Sequence, residues 1–171
     1  MTRLDLLEFV CVGKRRNTNR FIIYAVALVL FSLSVGATAQ EQTSLGDLVI
    51  ERPWARASIG TGRPAAAYLT IRNEGRESDT LLTVSTALSG MAEVHAMSMK
   101  DGVMNMGPAG PVEIPAGGQV LLAPGGLHIM MMKLKKALIK GKAVEITLSF
   151  KRGGKITVTA PIYGPGATRP E

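Results

Sequence analysis

From Leu48 onward a turn signal interrupts the chain about every 8 to 12 residues, a spacing that points to an all-β fold. The punctuation is Asn73-Glu74-Gly75, Asp101-Gly102, Ala116-Gly117-Gly118, Pro124-Gly125-Gly126, Lys140-Gly141 and Gly153-Gly154. Between these signals apolar and polar residues alternate. In Val144-Glu145-Ile146-Thr147-Leu148-Ser149-Phe150 every second residue is bulky and apolar, as in a strand buried on one face. No stretch of the chain beyond residue 39 sustains the 3.6-residue period of an amphipathic helix. Strands are predicted near 47–58, 65–73, 80–87, 92–99, 103–107, 119–123, 127–136, 143–151 and 155–162. Eight to nine strands of this kind predict a β-sandwich. Trp54, between Pro53 and Ala55-Arg56-Ala57, is expected to be a core anchor and not a ligand contact.

The first 39 residues have a different logic. Lys14, Arg15, Arg16 and Arg20 precede the apolar run Phe21 to Val35, and Ala37-Thr38-Ala39 offers small residues at a cleavage position. The run is 15 residues long, whereas a bilayer span needs about 20. A cleavable signal peptide (1–39) is therefore predicted, with an uncleaved anchor as the alternative. Export by the ordinary secretory route to the periplasm follows, because Asn17-Thr18-Asn19 is a poor twin-arginine continuation. The mature chain divides into one domain over 40–162 and a Pro- and Gly-rich tail over 163–171, expected to be flexible.

The only cysteine, Cys11, precedes the apolar run and has no lipobox around it, so a lipid anchor there is not expected. Cleavage leaves a domain without thiols. Disulfides, thiolate nucleophiles, iron–sulfur clusters and the cysteine ligand of a blue-copper site are all excluded. Five of the 20 basic and two of the 13 acidic residues lie in the leader, so the formal charge of the remainder is +4. Lys133, Lys135, Lys136, Lys140 and Lys142 form the one dense basic run, read as a solvated face, with docking of an acidic partner as the alternative. One tryptophan and three tyrosines provide no stacking platform for nucleic acid.

All eight methionines beyond the leader fall between Met91 and Met132, and so do the only two histidines, His95 and His128. A thioether is a soft, neutral ligand suited to Cu(I), and imidazole suits copper as well. Taken singly, each methionine reads more readily as a core filler. The pattern of the group argues for more. Asp101-Gly102 is a type I′ hairpin signal. With those residues as the loop, Met99 faces Met104, Met97 faces Met106, and all four share a face with His95. Met106 is then diagonal to His95, with Cα atoms about 7–8 Å apart. His128 and Met130 point to one side of their strand, with Met132 extending that face and Met131 joining Ile129 on the other. The turn at Pro124-Gly125-Gly126 is expected to keep this cluster accessible at one end of the sandwich. Two histidines and two methionines make an uncharged four-ligand set that favours Cu(I) over Zn²⁺ or Mg²⁺. No further carboxylate is evident in the group. Ligation by neutral histidine predicts that affinity falls below about pH 6.

The spacing His95-x10-Met106-x21-His128-x-Met130 resembles the signature of the PCu(A)C-type periplasmic copper chaperones. Pro53-Trp54-Ala55-Arg56-Ala57, Ala67-Tyr68-Leu69-Thr70-Ile71-Arg72-Asn73, Gly102-Val103-Met104-Asn105-Met106 and Pro124-Gly125-Gly126-Leu127-His128 look like that family too, so the resemblance covers roughly residues 47 to 162. It implies a cupredoxin-like Greek-key β-sandwich or barrel binding one Cu(I) per chain through His95, Met106, His128 and Met130. Met97, Met99, Met104 and Met132 are left as neighbours that shield the metal or fill in for a ligand. An enzyme is not expected, because the chain lacks a thiol in the mature domain and any flavin or dinucleotide motif, and the carrier is expected to be a monomer. It would transfer copper by ligand exchange to an acceptor, either the copper site of cytochrome c oxidase or a Sco-type chaperone. The tail lacks the His- and Met-rich extension that some relatives carry for a second copper. The competing reading is a metal-free periplasmic interaction module with a methionine-rich core.

Overall fold

The structure, a computed structural model, describes residues 42–100 and 102–170. The predicted signal peptide and Asp101 lie outside the described residues. Eleven strands are present among those described: β1 (Gln42–Leu45), β2 (Leu48–Arg56), β3 (Ala65–Asn73), β4 (Asp79–Ser85), β5 (Ser89–Lys100), β6 (Val103–Pro108), β7 (Val112–Ile114), β8 (Gln119–Leu122), β9 (His128–Leu134), β10 (Ala143–Phe150) and β11 (Lys155–Tyr163). The nine expected strands are all there. β1 and β7 are additional and short.

Nine strands follow one hydrogen-bonded path, β6-β5-β9-β3-β2-β11-β10-β4-β7, with β1 joined to β2 and β8 to β3. Strands distant in sequence lie side by side, as Greek-key connections produce. β11 makes the corner between two layers. Most of it pairs antiparallel with β10, while Ile162 and Tyr163 pair in parallel with Ala55 and Arg56 of β2. β4 packs back against β5, and the core lies between. Ile50, Leu69, Ile71, Ile129 and Met131 enter it from one layer, and Leu81, Ile146, Leu148 and Val158 from the other. The alternation of β10 is obeyed: Val144, Ile146, Leu148 and Phe150 are buried, while Glu145 is exposed.

A bulge in β2 places Trp54. The pairing with β3 shifts between Glu51 and Trp54, where Arg52 has a left-handed φ of 49°. One extra residue reverses the side-chain parity. Leu48 and Ile50 enter the main core before the bulge, and Ala55 enters it after. Trp54 is thus buried on the opposite side of the sheet, 5% exposed, with its ring 4.4 Å from Tyr68 and 6.2 Å from Tyr163. It packs as expected, but in a satellite aromatic cluster and not in the main core.

Asp79, the first residue of β4, ties that strand to the turn between β10 and β11. Its carboxylate accepts from the backbone N–H of Thr80 at 2.7 Å, Arg152 at 3.0 Å and Gly153 at 2.8 Å. Burial alone would raise this carboxyl, but the backbone donors of Arg152, Thr80, Gly153 and Lys151 together outweigh it and hold it below the usual carboxylate range.

Candidate metal centre

The β5–β6 hairpin has the register that its turn predicts. Lys100 faces Val103, Met99 faces Met104, Met97 faces Met106 and His95 faces Pro108. Gly102 supplies the positive φ, 75°, that the tight turn requires. On the other side of β5, β9 runs antiparallel, with His95 opposite His128, Val94 opposite Ile129 and Glu93 opposite Met130. β9 continues into β3, where Met130 faces Ala66.

Paired residues in a sheet share a face. His95, His128, Met106 and Met130 therefore all project from one side of the first layer, away from the core. Val94, Ile129 and Met131 occupy the other side, and the latter two are fully buried there. The imidazole centroids are 6.1 Å apart with planes inclined by 56°. Met106 and Met130 line one open depression of about 410 Å³, bordered by Arg56, Arg63 and Pro165. The four residues singled out by spacing thus share one sheet face, although they come from three strands.

The ligand set divides by exposure. His95 and His128 are buried, whereas Met106 is 54% exposed and Met130 is half-buried. Accessibility at the turn holds for the sulfurs and fails for the rings. His128 Nδ1 lies 3.0 Å from the Gly126 carbonyl oxygen and donates to it. That bond fixes the tautomer and leaves Nε2 with a free lone pair. Both ring nitrogens of His95 are buried without a hydrogen-bond partner. Such orphaned groups are rare in native proteins and call for an explanation such as an ion.

Glu93, which the spacing argument left out, faces this site. Its Oε2 is 3.4 Å from His95 Nε2, too poorly aligned to complete a hydrogen bond. The absence of any carboxylate near the group is therefore corrected. Glu93 lies two residues before His95, so strand parity already put both on one face. The pairing with β9, which sets Glu93 beside Met130, was the missing information. One carboxylate does not make a hard-metal site. Among the described residues, no group of three or more His, Cys, Asp or Glu converges.

The chain matches the model of a family described as "Putative lipoprotein LpqE-like" over residues 48–162. It is 30% identical over 144 residues to "Putative lipoprotein Lxx21020" of Leifsonia xyli subsp. xyli, covering 82% of this chain and 86% of that protein. Among solved structures, the apo PCuAC domain from PmoF1 is 30% identical, with a TM-score of 0.63 over 73% of this chain and 100% of that one. The copper-bound PCuAC domain from PmoF2 is 26% identical, with a TM-score of 0.63 over 73% of this chain and 99% of its own.

Proposed function

Since this chain belongs to the LpqE-like, PCuAC-type family, we propose that it is an exported Cu(I) carrier whose single primary site is built from His95, Met106, His128 and Met130. The observation that carries this reading is the pair of opposed imidazoles, one of them with both nitrogens buried and unpartnered, beside two same-face thioethers. A soft monovalent ion would satisfy His95 without adding charged ligands. His128 would bind through Nε2, because Nδ1 is engaged by Gly126. Glu93 acts from behind the ligands, partly balancing the charge of the ion.

The division by exposure suggests an order of transfer. An acceptor's thiolates can reach Met106 first, at the open depression, and the imidazoles last. Copper moves from neutral ligands to anionic ones with no change of oxidation state. The chain's own chemistry is then binding and release, as suits a chaperone and not a catalyst. Delivery into cytochrome c oxidase assembly, directly or through a Sco-type partner, is the acceptor role proposed. The periplasm is the proposed compartment. Cys11 precedes the apolar run, whereas a lipidated cysteine would follow it, so a mature protein without a lipid anchor is proposed; we take it to act as a monomer.

The test is titration with Cu(I) against a competing chelator, using Met106→Leu and His128→Ala as variants. Both variants should bind more weakly than wild type. Equal affinity in all three would leave the metal-free interaction module as the better account.

A further inference from the structure

Seven of the eight methionines beyond the leader lie on the outer face of the β6-β5-β9 sheet, and Met131 alone enters the core. The primary site uses only two of those seven. Met99 and Met104 are 67% and 61% exposed at the hairpin tip, next to Val103 at 60%. Core filling does not account for side chains this exposed. β6 is also the terminal strand of the sheet. Such edges are normally protected with charge or proline; β6 has Pro108 at its far end, and its tip displays apolar thioethers without a charged residue between Val103 and Gly107.

We propose that this tip holds a second soft-metal site, in which the thioethers of Met97, Met99 and Met104 take a Cu(I) ion separately from the His95–His128 centre. The register supplies the geometry. In a two-residue hairpin the closing pair, Lys100 and Val103, exchanges both backbone hydrogen bonds. Alternation then makes Met99–Met104 and Met97–Met106 the non-hydrogen-bonded pairs, with Cα atoms about 4.5 Å apart and side chains at their closest. Met97 stands two residues along the same face, about 6.6–6.8 Å away. Methionine has three rotatable side-chain bonds, enough to turn three sulfurs toward one ion. Three neutral thioethers suit Cu(I) or Ag(I) and offer nothing to zinc or to hard cations. Met97 is paired directly with Met106 of the primary site, so an ion bound there lies beside that site on the same face. The choice of ion rests on the copper-carrier reading, while the site itself rests on the hairpin.

The test is an anaerobic Cu(I) titration of the protein against a weak competitor, with bound copper and the methionine methyl NMR signals read together. Ag(I) serves as a redox-inert second probe. Two equivalents should bind, the second moving the Met99 and Met104 methyl signals. Met99→Leu/Met104→Leu conserves volume at exposed positions and should bind one equivalent with unchanged affinity. Uptake that stops at one equivalent in wild type, or a second equivalent that survives in this variant, overturns the proposal. Met106→Leu/His128→Ala separates the two readings. Loss of the primary equivalent with hairpin shifts retained supports two sites, and loss of both overturns the hairpin site. Retention of the primary equivalent would refute the ligand set proposed for the primary site, with the methyl shifts still deciding the hairpin.

Discussion

The unpartnered ring of His95 predicts that the metal-free protein gains stability when this histidine is removed. A buried polar group without a partner costs about 1–3 kcal/mol, and a neutral imidazole presents one donor and one acceptor. Two full penalties would overstate the cost, because the side chain retains 11% exposure and Glu93 lies 3.4 Å away. One penalty, about 1–3 kcal/mol, is the working figure. His95→Leu is close in volume, so repacking should cost less than this gain. Urea unfolding of the metal-free protein should therefore show the variant more stable than wild type by about 1–3 kcal/mol, with an unchanged slope. His128→Leu is the control of opposite sign: it deletes a formed hydrogen bond to Gly126, leaves a carbonyl behind and should destabilise. Adding Cu(I) should invert the ranking. Wild type gains about 4 kcal/mol at a free concentration a thousandfold above its Kd, and His95→Leu gains far less. A metal-free His95→Leu protein no more stable than wild type would refute the claim that this ring is held uncompensated for a ligand.

Two further perturbations probe the surroundings. Glu93→Gln removes the carboxylate facing His95 and Met130, and chelator competition should show Cu(I) affinity falling about tenfold, as for a group acting behind the ligands. Asp79→Asn keeps one acceptor oxygen but can set an amide donor against the Gly153 N–H, costing about 1.5–3 kcal/mol in urea unfolding at neutral pH. Since the folded carboxyl titrates below its unfolded value of about 3.9, its stabilisation is complete above that value and is lost as pH falls through the folded one. The gap between wild type and variant should therefore close in acid.

Much of the first layer was legible because two local signals agree. Asp101-Gly102 sets the hairpin register, and alternation then assigns every side chain on β5 and β6 to a face. The same parity placed Met131 with Ile129 in the core and Met130 with His128 outside it. β1 and β7 were not legible. Gln42-Thr43-Ser44-Leu45 has no apolar alternation, and Val112-Glu113-Ile114 is only three residues long between Pro111 and Pro115. Both exist because a neighbouring strand offers an edge to pair with. The face of Trp54 was hidden by a bulge at Arg52, which no periodicity reveals. Burial of the two imidazoles was hidden as well, since it depends on β9 lying against β5, strands about 30 residues apart in sequence.

That pairing explains how soft, weakly directional ligands are held in register. The four proposed ligands make no strong contacts with one another that could align three strands. On the opposite face, Val94 lies beside Ile129 and Ala92 beside Met131. Slipping β9 by one residue would turn Ile129 and Met131 outward and drive His128 and Met130 into the core. Exposing the two large side chains alone costs roughly 1.5–3 kcal/mol each, before any penalty for the buried imidazole. The apolar face of β9 thus sets the register, and the ligand face inherits it. His95 can then meet His128 directly even though, without an ion, that arrangement costs the fold stability.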